Sequence, residues 1–268
     1  MSAASIDPAR LKPLLGALAA RFDVDALAEG SSSSDLLLER AAAGAASGSV
    51  LVVDRQTAGR GRRGRHWASS PEASLTFSLL WRFDGGVERL AGLSLAVGVA
   101  VADALAALGA RGVALKWPND VLLAGGKLAG ILVELAGERR GVTAVIGIGL
   151  NLLPPPADAA LSPALPATPP ATLADALPAL PERHALLAAL LRALAPALDR
   201  FAAGGFPALR DEWQALHAWQ DAPVRVLRDG RVTLEGACRG ADVDGALLVE
   251  TAAGVERCLS GDLSLRGA

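Results

Sequence analysis

Two apolar runs, SVLVVDR (Ser49 to Arg55) and SLTFSLLWRF (Ser74 to Phe83), are parted by TAGRGRRGRHW, Thr57 to Trp67, which suits neither a helix interior nor a core strand. Gly59, Gly61 and Gly64 alternate there with Arg60, Arg62, Arg63 and Arg65, and no acidic residue lies between Asp54 and Glu72. Glycine lets the backbone adopt conformations closed to other residues and approach a ligand closely. Arginine carries a planar, permanently charged fork that matches phosphate oxygens. The reading is therefore strand, exposed basic loop, strand, with like charges that repel until an anion arrives. A polyphosphate fits; a solvated loop or a nucleic-acid contact is the plainer alternative. The formal net charge of -2 makes any basic site a local one.

The flanking chain divides by pattern. Residues 11 to 22 read as a short amphipathic helix. Ser31 to Ser34 open a second helix, with Ser32 and Asp35 spaced as a capping box. The apolar stretch Leu90 to Leu108 is long enough to cross a membrane, but Asp103, Ser94, Gly92 and Gly98 favour a buried core helix, and no signal peptide precedes it. VALKWPND (Val113 to Asp120) reads as a strand. VLL and KLAGILVEL flank the turn Ala124-Gly125-Gly126 as a β-hairpin. In VTAVIGIGLNL (Val142 to Leu152), Gly147 and Gly149 share one strand face, so something else packs there. Pro154 to Pro181 holds nine prolines and reads as an extended connector. Helices follow at Glu182 to Ala203, kinked at Pro196, and around Ala208 to His217. From residue 221 short alternating strands, with turns at Asp229-Gly230 and Asp244-Gly245, read as a small SH3-like β-barrel. The expected division is residues 1–220 and 221–268.

Two cysteines and three histidines are not spaced as a zinc site or a disulfide framework, which favours a reducing cytoplasm. Three further motifs carry chemistry. In KWPND, Pro118 directs Trp117 to an extended conformation, so Lys116 projects in a fixed direction. Asn119 and Asp120 there offer oxygens suited to Mg²⁺, or else make an ordinary turn. Lys127 leaves the hairpin turn three residues before Gly130 and either reaches a ligand on the sheet or is a solvated turn lysine. Ser31 to Ser34 either cap a helix or meet an anion at its N-terminus.

GRGRRGR (Gly59 to Arg65), KWPND (Lys116 to Asp120), KLAGILVE (Lys127 to Glu134) and IGIGLNL (Ile146 to Leu152) occur in that order, and with the tail GADVDGALLVE…GDLSLR they resemble the biotin–protein ligases, or biotin–[acetyl-CoA-carboxylase] ligases. The resemblance runs from about Ser31 to Arg266. It implies an α+β fold with a class II aminoacyl-tRNA synthetase-like mixed sheet and helices, plus the C-terminal barrel. It implies biotin and ATP as substrates, Mg²⁺, biotinyl-5′-AMP as intermediate, and a lysine of a carboxylase carrier domain as acceptor. Carried over by position, Ser32, Ser33, Ser34, Gln56, Arg60, Gly61, Arg62 and Lys127 bind biotin, and Trp67 packs over the adenylate. Gly130 gives close approach, Arg60, Arg62, Lys116 and Lys127 serve the chemistry, and Asn119 or Asp120 holds metal.

The family usually has Ser-Thr-Asn where this chain has Ser32-Ser33-Ser34, so Ser34 cannot supply an amide. About thirty residues precede the serines, too few for the winged DNA-binding domain of some members, so a ligase without a repressor arm and without DNA as partner is expected. A homodimer joined at sheet edges is compatible with the resemblance. The rivals are a lipoate or octanoate ligase, which should lack the full basic loop and barrel, a nucleic-acid binder, and a biotin sensor that does not transfer.

Overall fold

The computed structural model describes residues 5–137, 141–154, 168–260 and 263–268. Asp7 caps the first helix, α1 (Pro8–Leu15), by accepting from the Ala9 amide at 2.8 Å. A 3₁₀ segment, Gly16–Arg21, continues it. The expected helix at 11–22 therefore starts earlier and tightens at Gly16, whose φ is 56°. An edge strand follows, β1 (Asp23–Gly30), and then α2 (Ser33–Ala42), β2 (Ser49–Gln56), β3 (Ser74–Phe83) and α3 (Leu93–Ala107). β1 has no apolar alternation to announce it, and only its parallel register with β2 defines it. Next come β4 (Val113–Lys116), β5 (Asp120–Leu123), β6 (Gly126–Gly137) and β7 (Val142–Asn151).

The strand expected over 113–120 is two strands. Pro118 has no amide hydrogen to continue a ladder, the Trp117–Pro118 peptide is cis, and the chain turns back so that Lys116 faces Asp120 across β4 and β5. The β5–β6 hairpin forms as expected, with Ala124 at φ 48° and Gly125 at 81°; two positive φ values give the turn whose twist matches the strands. The seven strands form a mixed sheet in the order β1-β2-β3-β7-β6-β5-β4, in which β1 and β2 are the parallel pair.

The run Val87–Ala107 is apolar and long enough to cross a membrane, yet α3 is core. Leu95, Val97, Val99, Val101 and Leu105 are buried between the sheet and α4 (Arg183–Gly204). A helix enclosed on all sides is apolar all round. Phe83 of the sheet meets Phe201 of α4 edge to face at 5.9 Å. On the opposite sheet face, α2 covers a smaller cluster of Leu37, Leu51, Val53, Leu80 and Val145. After α5 (Arg210–Leu216) come β8 (Pro223–Arg228), β9 (Arg231–Ala241), β10 (Leu247–Thr251), β11 (Gly254–Cys258) and β12 (Leu263–Gly267). They make one antiparallel five-stranded sheet, order β11-β10-β9-β8-β12. It is bonded to the larger sheet's layer: Trp117 Nε1 donates to Gly245 O at 3.0 Å, and Arg210 Nε to Ala241 O at 2.6 Å. Residues 155–167 of the proline-rich connector lie outside the described residues.

Candidate functional site

The α2 face of the sheet changes from apolar to polar along β3 and β7. Ser74, Thr76 and Ser78 alternate with Leu75, Phe77 and Leu79, so from Ser74 to Ser78 every second side chain of β3 is polar, and all six are buried. Ser78 Oγ lies 2.8 Å from Ser33 Oγ and 3.0 Å from Ser34 Oγ, and the Ser33 amide donates to Gln56 Oε1 at 2.7 Å. Ser32 caps α2, its hydroxyl accepting from the Asp35 amide at 3.4 Å. Gly147 pairs with Ser78 across β3 and β7, and a Cβ on it would stand 2.6 Å from Ser34 Oγ. That is one thing the Gly147 face was expected to admit. Ser78 belongs to this polar cluster and the sequence reading missed it; the period-two polarity of SLTFSLL was its trace.

Gly149 and Gly130 face each other on β7 and β6, and the indole of Trp67 lies over both. A Cβ at Gly149 would overlap that ring, and one at Gly130 would stand 3.1 Å from Trp67 Cζ3 and 3.1 Å from Lys127 Nζ. Lys127 Nζ sits 5.5 Å from the ring centroid, within range for a cation over an indole face. Trp67 Nε1 is buried and has no hydrogen-bond partner among the described residues. A buried donor left so costs about 1–3 kcal/mol, and a ligand with an acceptor would satisfy it.

The basic loop is a small hairpin of its own. Gly61 N donates to Arg65 O at 2.7 Å and Trp67 N to Gly59 O at 2.9 Å. The tip uses positive φ at Arg63 (60°) and Gly64 (66°). One of its charges, that of Arg60, is neutralised by carboxylates of the protein rather than left to repel its neighbours. Arg60 reaches Asp35 at 2.6 Å and Glu134 at 2.5 Å, and Arg62 donates to Asn119 Oδ1 at 3.0 Å and to Ser260 O at 2.8 Å. The loop is thereby fastened to α2, β6, the β4–β5 turn and the connection between β11 and β12.

Lys116 is 4% exposed. Burial pushes its pKa down to about 8, against the attraction of Asp120. Asp120 lies between the two lysines, 2.6 Å from Lys127 Nζ and 3.6 Å from Lys116 Nζ. This corrects the expected metal assignment. The Asp120 carboxylate is held by two ammonium groups, which would repel a cation. Asn119 is also spent, its Oδ1 accepting from Arg62 and its Nδ2 donating to Ile131 O at 2.7 Å. Among the described residues no group of three or more His, Cys, Asp or Glu side chains could hold a metal ion by itself.

Ser32, Ser33, Ser34, Gln56, Trp67, Lys127 and Gly130 thus converge on one sheet face, Arg60 and Arg62 border it, and Gly61 lies in the hairpin between those two. With Lys116 they make a cationic site beside a glycine floor that the Trp67 indole covers. Comparison with known proteins identifies the family. Residues 31–151 match the model of the Biotin/lipoate A/B protein ligase family, and residues 222–266 match the Biotin protein ligase C terminal domain. The chain is 37% identical over 223 residues to the bifunctional ligase/repressor BirA of Escherichia coli, spanning 83% of this chain and 68% of that one. It is 40% identical over 212 residues to the biotin–[acetyl-CoA-carboxylase] ligase of Paracoccus denitrificans, spanning 78% and 87%. The Aquifex aeolicus biotin protein ligase, solved in complex with biotin and ATP, superposes with a TM-score of 0.75 at 28% identity, covering 92% of this chain and 99% of that one. The chain belongs to the biotin/lipoate A/B protein ligase family, and within it to the biotin protein ligases.

Replacing Lys127 with alanine removes a cation from the cleft and leaves Asp120 beside Lys116 alone. Biotin affinity measured by calorimetry should fall roughly 10–100-fold, the range for a hydrogen bond to a charged group. An unchanged affinity would make Lys127 a structural partner of Asp120 only.

Proposed function

We propose that this protein activates biotin with ATP and passes it to one lysine of a biotin carboxyl carrier domain, that of acetyl-CoA carboxylase or a related carboxylase. The observation that carries the reading is the glycine floor of Gly130 and Gly149 under Trp67, ringed by Lys116, Lys127 and Arg62. In the first step a biotin carboxylate oxygen attacks the α-phosphorus. The bond to the bridging oxygen breaks, and pyrophosphate leaves with the electron pair. Two anions have to meet, so cations fixed in advance around the reacting centre lower the barrier. Lys116 and Arg62 are the groups best placed to do so, and Arg60 and Lys127 hold the biotin end. Gln56 and the Ser33–Ser34–Ser78 hydroxyls supply donors and acceptors for its polar ring. In the second step the carrier amine attacks the acyl carbon, AMP leaves, and the amine loses a proton. The hairpin 59–67 over the cleft keeps water from the mixed anhydride in the interval.

The C-terminal domain and the biotin ligases among its relatives favour biotin over lipoate. The outer edge of β1 is open to strand pairing, by a second copy or by the carrier. Cys238 and Cys258 are buried free thiols, and with the use of ATP this accords with a cytoplasmic site of action.

The test is to incubate the protein with biotin, ATP and magnesium plus a carrier domain; the carrier should gain the mass of one biotinyl group. A carrier of unchanged mass, with biotin still bound by the protein, would favour the sensor reading. The first step should also carry the titration of Lys116. Its folded pKa of about 8 lies below the ordinary lysine value, so the charge is present below pH 8 and lost above it. Biotin-dependent ATP–pyrophosphate exchange should be level near pH 7 and decline as the pH rises through about 8. A rate flat to about pH 10 would remove the Lys116 charge from the mechanism.

A further inference from the structure

Thr168 lies 52 residues beyond Lys116 in the chain, where the proline-rich connector re-enters the described structure. Its hydroxyl accepts a hydrogen bond from Lys116 Nζ at 2.7 Å. Asp120, at 3.6 Å, is beyond good hydrogen-bond distance and acts mainly through charge. The Trp219 ring, 5.9 Å from Nζ to centroid, closes another side.

The segment that presents Thr168 is pinned down. Lys127 N donates to Pro169 O at 2.7 Å, and Ala171 N donates back to Lys127 O at 2.9 Å. Asn151 Nδ2 spans Lys127 O and Ala171 O at 3.1 and 3.2 Å. Thr172 and Asp175 then form a capping box on a 3₁₀ turn, and Ala174 N bonds Leu152 O at 3.1 Å. Pro169 and Pro170 restrict the backbone between these bonds. A Cβ at Gly126 would stand 2.9 Å from Ala171 Cβ, so the hairpin glycine admits this close approach. The segment acts as a strap laid along β6, bonded to the backbone of one site lysine and to the side chain of the other.

The geometry points to Thr168 as a positioning residue for adenylate formation: its hydroxyl, held by the strap, aims the Lys116 ammonium into the cleft. This deepens the ligase reading and rests on it. A buried lysine with four rotatable bonds and one long ion pair has several places to go. A fixed acceptor selects one and favours the charged form. The groups facing Lys116 are Asp120 from β5, Lys127 from β6, Arg266 from β12 and the Trp219 ring.

The chain has three lysines, Lys12, Lys116 and Lys127, so protein labelled with carbon-13 at lysine Cε gives three signals. Lys12→Arg and Lys127→Arg assign them. With Thr168→Val, the Lys116 signal should titrate at a pH lower by roughly half a unit or more, and Thr168→Ser should restore it. In biotin-dependent pyrophosphate exchange, Thr168→Val should lower kcat roughly tenfold with KM for biotin changed less than about twofold, and Thr168→Ser should recover most of the rate. Thr168→Ala repeats the measurement if the valine variant melts early. An unmoved Lys116 titration overturns the proposal, and so does a moved titration with unchanged kcat. Absence of exchange in the unaltered protein would instead refute the ligase reading, and the titration, which needs no substrate, would still decide whether Thr168 holds Lys116.

Discussion

Replacing Arg62 with alanine should lower biotin-dependent ATP–pyrophosphate exchange by roughly 10²–10³-fold, the loss seen when one preorganised donor to developing charge is removed. The melting temperature should hardly change. Arg62 is half-buried, and two of its partners, Asn119 Oδ1 and Ser260 O, take a charged donor rather than an apolar packing face. Water can replace the guanidinium at both acceptors. Arg62→Lys separates charge from geometry. An ammonium keeps the positive charge but lacks the planar fork that spans Asn119 and Ser260 together. Its exchange rate should fall between those of the alanine variant and the unaltered protein. An alanine variant within tenfold of normal exchange would place the chemistry on other cations, and Arg62 would remain only as the joint between the basic hairpin and the connection between β11 and β12.

The second large effect belongs to Gly130. Valine there should abolish biotin-dependent thermal stabilisation, and the melting temperature of the unliganded variant, whose added carbons also meet Trp67 and Lys127, is measured beside it. The strand itself accepts a β-branched residue well. The space above it does not, because the first carbon already lies 3.1 Å from both Trp67 and Lys127, and valine adds two methyl groups beyond it. At biotin concentrations of about 100 Kd, binding stabilises the folded state by ~2.7 kcal/mol, a shift that is readily measured. Its disappearance in the valine variant, with a smaller loss in Gly130→Ala, is the expected series. Full stabilisation in the valine variant would put the biotin elsewhere than on the β6–β7 floor. Gly149→Ala is the companion, since its Cβ overlaps the same indole from the neighbouring strand.

These two positions show how differently the site was written in the chain. Gly130 lies three residues past Lys127 in a hairpin whose turn glycines mark it, so local spacing is enough to find it. Arg62 is legible as a ligand-seeking cation but not by its partners. An Asn-Asp pair after a strand offers oxygens suited to a metal, which is all that the local sequence around Asn119 and Asp120 conveys. The turn at Pro118 makes Asp120 the cross-strand neighbour of Lys116, and the β5–β6 hairpin brings it Lys127. Two ammonium groups then claim the carboxylate.

From the sequence alone follow the strands on either side of the basic loop, the core helix, the hairpin turns and the ordered motifs, because each depends on residues near one another in the chain. Periodicity, turn glycines and the missing amide hydrogen of proline act locally. Sheet order β3-β7-β6-β5 was decided only in the folded molecule. It brings Ser78 under Ser33 and Ser34, Glu134 to Arg60, and Thr168 to Lys116. Which charge neutralises which depends on strands that become neighbours only after the core has formed, and no local pattern encodes that adjacency.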